Sequence, residues 1–584
     1  MSKDSKNEEK KDDDLGPISR RLEYLIEIFE KDRFTPLTAF IFLVILGIIR
    51  SVSESLIYEY RVFSMYLVVQ HTAFNFPVLI MGSLILSLAA DTPLRKTYNA
   101  ILPGFAIVIV PPFVDYFILG YSGAEYSYLY SYHAADIPFF MKISDLYPPN
   151  ILMAEEISSG LRRMVISIMT LSGLYVAVKV KIWKSIRLFS EREFEPIVKK
   201  ICSIFFGVFG IWVVVWFIVA IVPTSISLEE GTVVIFDYFS FLPYSKYYVF
   251  IEQYGYNTGE IFSETGGLAG NMALQQRALY LTMIFSVLSF GFMLLSMHLK
   301  YRSLLKKIFS SLRLTVLLPT TVSALLGSAV LHLTDPDFTE GWALNPSYVL
   351  HFPYIFYIGA AGFFLGCFGC FISDYHREEN ILSKTASKQM SIISLLAGGS
   401  FAFLMGPLRI PLIFGLAAIL MYLSFRRGEK TFDLLSSFIF SSSCFLAYLI
   451  GVYSPTIWKT RIYDVEGHMT VDLPRTPELT AEVIGLGLII FLLILSVSIL
   501  TYVLDKELLS GWIDSPLALP AILLLLSFLP ALMFNEWHHL VVFASLGVAS
   551  VLLTDNDLPF IPLGISSLLL FYILLSLWGL IPGV

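Results

Sequence analysis

The chain has 584 residues, of which 56% are hydrophobic and only 15% are charged. Soluble domains carry about a quarter charged residues, so this composition excludes a soluble globular protein and indicates a helical membrane protein. The net charge of −7 says little, because the placement of charges in the loops matters more than their sum, and the sequence carries no strong nucleic-acid-binding footprint. We therefore expect membrane lipids, and no nucleic acid, among the partners.

Residues 1–34 are predicted to form a cytoplasmic tail followed by an amphipathic helix. The first sixteen residues are too polar to fold or to insert into a membrane. From Pro17 onward, apolar side chains recur on one face of a helical pattern and charged side chains on the other. The helix is expected to lie on the membrane surface or against the bundle. Its apolar face comprises Ile18, Leu22, Leu25, Ile26 and Phe29.

Apolar runs of spanning length predict an all-α, polytopic membrane protein of about 15 transmembrane helices. Six runs form a first bundle in residues 35–299, and nine form a second bundle in residues 314–584. The first six lie at 35–57, 63–90, 99–120, 163–181, 200–224 and 278–299. The other nine lie at 314–334, 351–373, 388–406, 409–425, 433–454, 480–504, 517–534, 538–553 and 558–581.

The distribution of basic residues predicts the orientation of these spans. With a cytoplasmic N-terminus, the inside segments carry roughly three times as many Lys and Arg residues as the outside segments. One missed span would invert much of this bias. We therefore expect a multi-pass protein of the cell membrane with its C-terminus outside, and with residues 300–313, 374–388 and 426–432 in the cytoplasm.

The first six spans carry polar residues at membrane depth, namely Arg50, Glu54, Gln70, His71, Asn75 and Asp115. Polar groups in a membrane usually face a cavity or one another because burial in lipid is costly. They predict either a transport or lipid-binding cavity, or hydrogen bonds that hold the bundle together. Residues 35–299 also faintly resemble the Yip1-type multi-span membrane domains, and no motif carries a function over from them.

A concentration of charge follows the second helix of the later series. An apolar run ends at Ser373, and Asp374, Arg377, Glu378 and Glu379 come within six residues of it. Acids at the mouth of a membrane helix, with cations shortly after them, suit a divalent metal that holds a phosphate ester. The alternative is a solvated loop between two spans, which is the commoner use of such charges.

After a basic linker at 300–313, the chain resembles the UbiA superfamily of intramembrane prenyltransferases over about residues 300–584. SLRLTVLLPTTVSALLGSAVL (311–331) is similar to the first helix of that family, and SDYHREEN (373–380) stands where the family has its first aspartate motif. MGPLRIPLIFGLAAILMYLSFRR (405–427) resembles the passage between the third and fourth helices. YVLDKELLSGWID (502–514) stands at the second aspartate motif.

The resemblance implies a cytoplasmic-facing site at which Mg²⁺ holds an allylic diphosphate until the diphosphate departs and an acceptor captures the prenyl cation. Asp374 and Asp505 match family aspartates, whereas Arg377 and Leu509 stand where further aspartates are expected. The implied metal ligands are Asp374, Glu378, Asp505 and Glu507, and the implied substrate-binding cations are Arg313, Lys384, Lys388, Arg426 and Arg427.

Three functions follow as hypotheses. The first is a UbiA-like protein that acts on or binds a prenyl diphosphate or a related lipid phosphate; if it is an enzyme, it is a Mg²⁺-dependent prenyltransferase. The second is a UbiA-derived scaffold or lipid-binding protein without catalysis. The third is a transporter or flippase, with the polar residues of the first bundle lining a path. Prenyl length, acceptor and oligomeric state have no signal in the sequence.

Overall fold

A computed structural model describes most of the first 500 residues. The described ranges are 17–31, 33–57, 65–109, 159–182, 195–221, 226–229, 232–235, 268–334, 347–377, 379–406, 408–426, 434–454 and parts of 483–498, together with Phe113 and Phe117. The predicted spans at 517–534, 538–553 and 558–581 lie outside the described residues, as do parts of those at 99–120 and 480–504.

The described chain is predominantly helical, and its helices follow the apolar runs. Up to residue 300 the helices are α1 (Pro17–Glu30), α2 (Pro36–Ile57), α3 (Met65–Ala89), α4 (Leu94–Gly104) with a 3₁₀ turn (Phe105–Ile109), α5 (Ser159–Lys179), α6 (Glu195–Ile221) and α7 (Leu268–Lys300). After residue 300 the helices are α8 (Arg302–Ser311), α9 (Leu314–Thr334), α10 (Ser347–His376), α11 (Lys384–Met405), α12 (Arg409–Phe425) and α13 (Leu434–Tyr453).

Seven of the described helices are long and apolar enough to cross a membrane. An eighth span arises if α8 and α9, which are bent by 68° at the break between them, are taken together. α12 and the Ile166–Lys179 part of α5 are shorter apolar helices. These lengths are those of a multi-pass membrane protein, because about 20 apolar residues in a helix cross the hydrocarbon core of a bilayer.

A short antiparallel hairpin follows α6 and was not predicted. Its strands are β1 (Ile226–Glu229) and β2 (Thr232–Ile235), with Ile226 opposite Ile235. The segment carries β-branched residues close together, which favour a strand over a helix. Outside this hairpin the regular structure in the described residues is helical.

The chain divides into two compact units, Met1–Arg302 and Ser303–Val584. The boundary falls at the beginning of the predicted linker, 300–313, most of which forms helix α8. In the first unit, one apolar cluster brings α3, α5, α6 and α7 together around Phe74, Val176, Ile211 and Phe285. A second cluster packs α2 against α3 and α4 through Leu43, Leu79 and Leu102.

In the second unit, glycines allow helices α9 and α13 to approach very closely. A Cβ added at Gly327 would collide with the carbonyl oxygen of Tyr448, and one added at Gly451 would collide with the carbonyl of Ala324. Small residues at such crossings permit the backbone contacts on which helix association in membranes depends. The same unit places the end of α10, the beginning of α11 and the end of α12 near one another, and this arrangement builds the site described below.

Candidate functional site

The Asp374 carboxylate lies at the centre of the turn between α10 and α11. The residue is 1% exposed and belongs to the last turn of α10. Its Oδ1 accepts a hydrogen bond from the N–H of Ile381 (2.9 Å), and its Oδ2 accepts from the N–H of Leu382 (3.2 Å) and the hydroxyl of Ser387 (2.6 Å). Bonds to an ionised acceptor are stronger than neutral ones, so this carboxylate fixes the path of the turn.

Two further side chains complete the turn. When the amide nitrogen of Asn380 faces the end of α10, it donates to the carbonyls of Asp374 (2.6 Å) and Arg377. Ser383 accepts from the N–H of Ala386 (3.3 Å) and caps the N-terminus of α11. Asn380 thereby caps the end of α10, and Ser383 satisfies one of the unpaired N–H groups at the start of α11.

Arg313 lies at the break between α8 and α9, beside this turn. Its main-chain N–H donates to the Sγ of Cys370 at 3.3 Å, which ties the break to the buried face of α10. Burial lowers the pKa of the Arg313 guanidinium, the neighbouring Arg377 acts in the same direction, and Asp374 acts against both. An arginine stays charged at physiological pH despite such a shift, so Arg313 adds a fixed positive charge here.

Aromatic contacts bring the end of α12 to the same place. The rings of His376 and Tyr422 lie 6.1 Å apart between centroids. His376 is also within electrostatic range of Lys384 in the first turn of α11. Arg426 follows Tyr422 by one turn, and its main-chain N–H donates to the Tyr422 carbonyl at 2.9 Å. Three helix ends therefore meet at one end of the second unit.

Five cations surround this end, and we call them the basic rim: Arg313, Arg377, Lys384, Lys388 and Arg426. Lys384, Lys388 and Arg426 are exposed, and the two other arginines are half-buried. The described acids at this end are Asp374, which is buried by its own turn, and Glu379, which is exposed. Among the described residues, the charge that this end presents outward is therefore mainly positive.

The structure describes five of the nine residues implied by the resemblance. Arg313, Lys384, Lys388 and Arg426 lie on the basic rim, and Asp374 lies beneath it. Glu378, Asp505, Glu507 and Arg427 lie outside the described residues, so their roles stay predictions. The expected end of the apolar helix at Ser373 is wrong by three residues, because α10 continues to His376.

The described part of the site does not offer an open set of Mg²⁺ ligands. A carboxylate has about four lone-pair positions, and three of those on Asp374 already accept hydrogen bonds. Among the described residues, no three His, Cys, Asp or Glu side chains are placed to hold a metal. The Mg²⁺ prediction therefore depends on the three implied ligands outside those residues.

Three residues of the site carry roles that the sequence did not predict. Ser387 donates to Asp374, Asn380 caps α10, and Arg377 contributes a cation to the rim where the family pattern has an aspartate. Serine shortly before an apolar run is a helix-start signal, and asparagine is typical of turns. Those signals predict a turn, but they do not say which carboxylate the turn encloses.

Comparisons of the chain with protein-family models, with curated proteins and with solved structures gave no match.

Proposed function

We propose that the protein is a multi-pass protein of the cell membrane with about fifteen spans in two bundles, and that its second unit binds a phosphate-bearing lipid at the basic rim. One observation carries the lipid site. The Asp374 carboxylate is occupied by its own turn, so the described charged groups that face outward at this end of the bundle are predominantly cations.

The distribution of charge supports a cytoplasmic orientation of this rim. Among the described Lys and Arg residues of the second unit, seven of eight lie on α8 or at the end of the unit that carries the rim. The eighth, Arg409, begins α12 at the opposite end. Basic residues are enriched on the cytoplasmic side of membrane proteins, which agrees with a cytoplasmic N-terminus and an outside C-terminus.

Each cation has a distinct part in holding a phosphate. Lys384 and Lys388 lie one turn apart on α11 and supply mobile point charges, whereas Arg313 and Arg426 supply planar forks that can bind two oxygens at once. A lipid phosphate lies at the membrane surface, where the helix ends are. Prenyl diphosphates and anionic phospholipids share this chemistry, and the UbiA-like resemblance of residues 300–584 favours the prenyl diphosphate.

Binding without prenyl transfer is the function that the described residues support best. Transfer requires carboxylates that hold Mg²⁺ on the departing diphosphate, and Asp374 has one or so lone-pair positions left for that purpose. A UbiA-derived lipid-binding protein needs the cations alone. Prenyl transfer is retained as an outcome of the experiment.

The test is to titrate geranylgeranyl diphosphate onto the purified full chain in neutral nanodiscs, with Mg²⁺ and with chelator. A lysine or arginine near a membrane surface contributes about 1 kcal/mol to binding an anion, or about fivefold in affinity. Lys384→Gln with Lys388→Gln should therefore weaken binding about 25-fold by the same reasoning. Arg409→Gln, the matched control at the opposite end, should leave the affinity unchanged.

The alternatives give different results in the same experiment. Mg²⁺-dependent binding with release of diphosphate in the presence of an acceptor would establish the prenyltransferase and overturn binding without turnover. Absence of binding both with Mg²⁺ and with chelator would overturn the lipid site and leave the scaffold hypothesis.

Transport is a second candidate function, and Asn75 in the first unit favours it. Asn75 is 1% exposed on α3, and neither of its amide atoms has a hydrogen-bond partner among the described residues. Gln70 and His71 are buried one turn earlier on the same helix. An unsatisfied amide at membrane depth is costly, and a polar molecule moving past it would supply the missing bonds.

The transport candidate is tested by lipid scrambling and by uptake of polar solutes in proteoliposomes. Asn75→Leu should abolish transport, whereas Thr170→Val should leave it unchanged, because Thr170 is exposed and bonds within its own helix. Equal transport by both variants would exclude a path through Asn75.

A further inference from the structure

The amphipathic helix α1 is fixed at one end of the first unit in a defined rotation. Ile26 packs against the apolar cluster that contains Phe74 and Phe285. Four residues later, Glu30 is buried, and its Oε1 lies 2.5 Å from the Nζ of Lys179 at the end of α5. Because residues four apart share a helix face, Ile26 and Glu30 define the side of α1 that faces the bundle.

This rotation leaves a second face of α1 pointing away from the bundle. Arg21, Leu25 and Phe29 follow one another at four-residue spacing, and Leu25 and Phe29 are 48% and 44% exposed. Glu27 is exposed as well. It follows Leu25 by two residues, which places it on the opposite side of the helix. The outward face therefore combines one cation with two large apolar side chains, and we call it the apolar ridge of α1.

The position of the ridge relative to the apolar surface of the first unit follows from the residues around it. Lys179, to which Glu30 is paired, is the last residue of the apolar stretch Ile166–Lys179. The Nζ of Lys200 near the start of α6 donates to the carbonyl of Lys181 at 3.3 Å, so α6 begins at the same end. In the first turns of α6, Val198 and Ile201 are more than half exposed. Helix α1 thus lies where the apolar surface of the unit begins.

The charge at this end is complementary to an anionic surface. Among the described residues there, the exposed cations outnumber the exposed acids by eight to two. The exposed cations are Arg20, Arg21, Lys31, Arg33, Arg95, Lys96, Lys181 and Lys199, and the exposed acids are Glu27 and Asp91. Amphipathic helices with basic flanks and large apolar side chains bind at the boundary between lipid head groups and acyl chains.

We propose that the apolar ridge of α1 is a binding site for the anionic phospholipid surface of the cytoplasmic leaflet. Leu25 and Phe29 insert beside the acyl chains, and Arg21 contacts the head-group phosphates. The Glu30–Lys179 pair holds the helix in the rotation that this insertion requires. This site belongs to the first unit and does not depend on lipid binding at the basic rim.

The experiment places a nitroxide on the full-length protein in nanodiscs, one position at a time. Leu25→Cys reports the ridge, and Glu27→Cys is the control on the opposite side of the same helix. Both are made with Cys202→Ser, because Cys202 is the exposed one of the four cysteines. Collision of the label with oxygen, which concentrates in lipid, is compared with collision with a water-soluble nickel chelate.

The ratio of collisions with oxygen to collisions with the nickel chelate should be severalfold higher for the label at Leu25 than for the label at Glu27. Phosphatidylserine in the nanodisc should increase this difference, and Arg21→Gln should remove the increase.

Equal nickel accessibility at both positions would overturn the proposal, because the ridge would then face water. A strongly immobilised label at Leu25 that neither reagent reaches would also overturn it, because a protein surface would then cover the ridge. Lipid contact without a phosphatidylserine effect would refute the anionic specificity.

Discussion

The two units each bury a carboxylate at a helix end, and they stabilise it in different ways. Glu30 in the first unit pairs with Lys179 and also accepts from the hydroxyl of Tyr175 (3.1 Å), so its partners lie some 145 residues away in the chain. Asp374 in the second unit accepts hydrogen bonds from donors 7, 8 and 13 residues away. The first carboxylate joins distant elements, and the second organises a local turn.

The difference explains which charges each end leaves for a ligand. An ion pair neutralises one cation together with one acid, and the Lys179–Glu30 pair does so in the first unit. The three hydrogen bonds of Asp374 come from neutral groups, and Lys384, Lys388 and Arg426 are exposed at the same end. A buried carboxylate needs compensation in either case, because desolvation is expensive. The source of the compensation therefore decides whether a neighbouring cation is neutralised.

Removing the cation beside Glu30 is expected to have the largest effect. Lys179→Met leaves Glu30 buried without its counter-ion, and breaking such a pair costs about 3–5 kcal/mol. We expect a lower unfolding temperature and faster hydrogen exchange over α1. Lys181→Met removes an exposed lysine two residues later and is the control. Equal behaviour of the two variants would mean that the pair does not hold α1.

Removing the carboxylate of the second unit should have the next largest effect. Asp374→Ala leaves the N–H groups of Ile381 and Leu382 without their acceptor, which should cost about 3 kcal/mol. Hydrogen exchange should accelerate over residues 377–387, whereas Glu379→Ala, an exposed acid in the same turn, should leave the exchange rates unchanged. Normal exchange in Asp374→Ala would show that the carboxylate does not fix the turn and would restore it as a candidate metal ligand.

The two members of the ion pair should contribute unequally. Glu30→Gln leaves Lys179, whose side chain is 20% exposed and can reach water. Its cost should therefore be smaller, about 2 kcal/mol. Thermal unfolding of both single variants and the double variant gives the coupling between the two residues. A larger loss for Glu30→Gln than for Lys179→Met would contradict the assignment of Glu30 as the more deeply buried charge.

The smallest effect concerns one donor of the Asp374 turn. Ser387→Ala removes a 2.6 Å hydrogen bond to a carboxylate, which should cost about 1.5 kcal/mol. Ser400→Ala, which removes a hydroxyl bonded within its own helix, is the control. Lipid-phosphate binding should persist in Ser387→Ala, since the cations are retained. Loss of binding with unchanged stability would indicate that Ser387 contacts the ligand directly.

The amino-acid sequence by itself determined where the helices are. The apolar run predicted at 409–425 is helix α12 with the same bounds. The run at 35–57 differs from α2 by one residue at its start, and the run at 433–454 differs from α13 by one residue at each end. Runs of this kind can be read without tertiary information, because hydrocarbon allows only backbone that satisfies its own hydrogen bonds. The end of α10 was predicted less well, because polar residues such as Asp374 can belong either to a last helical turn or to a loop.

Tertiary structure decided what the charged and amphipathic residues do. From periodicity, Leu25, Ile26 and Phe29 belong to one apolar face, yet Ile26 packs into the core while Leu25 and Phe29 point outward. That outcome depends on the rotation of α1, which is fixed by contacts with Lys179, about 150 residues later. Asp374 carries the same side chain whether it holds a metal or a turn. Its use depends on where the N–H groups of Ile381 and Leu382 and the hydroxyl of Ser387 lie in three dimensions, because a carboxylate binds whichever donors are brought within reach of its oxygens.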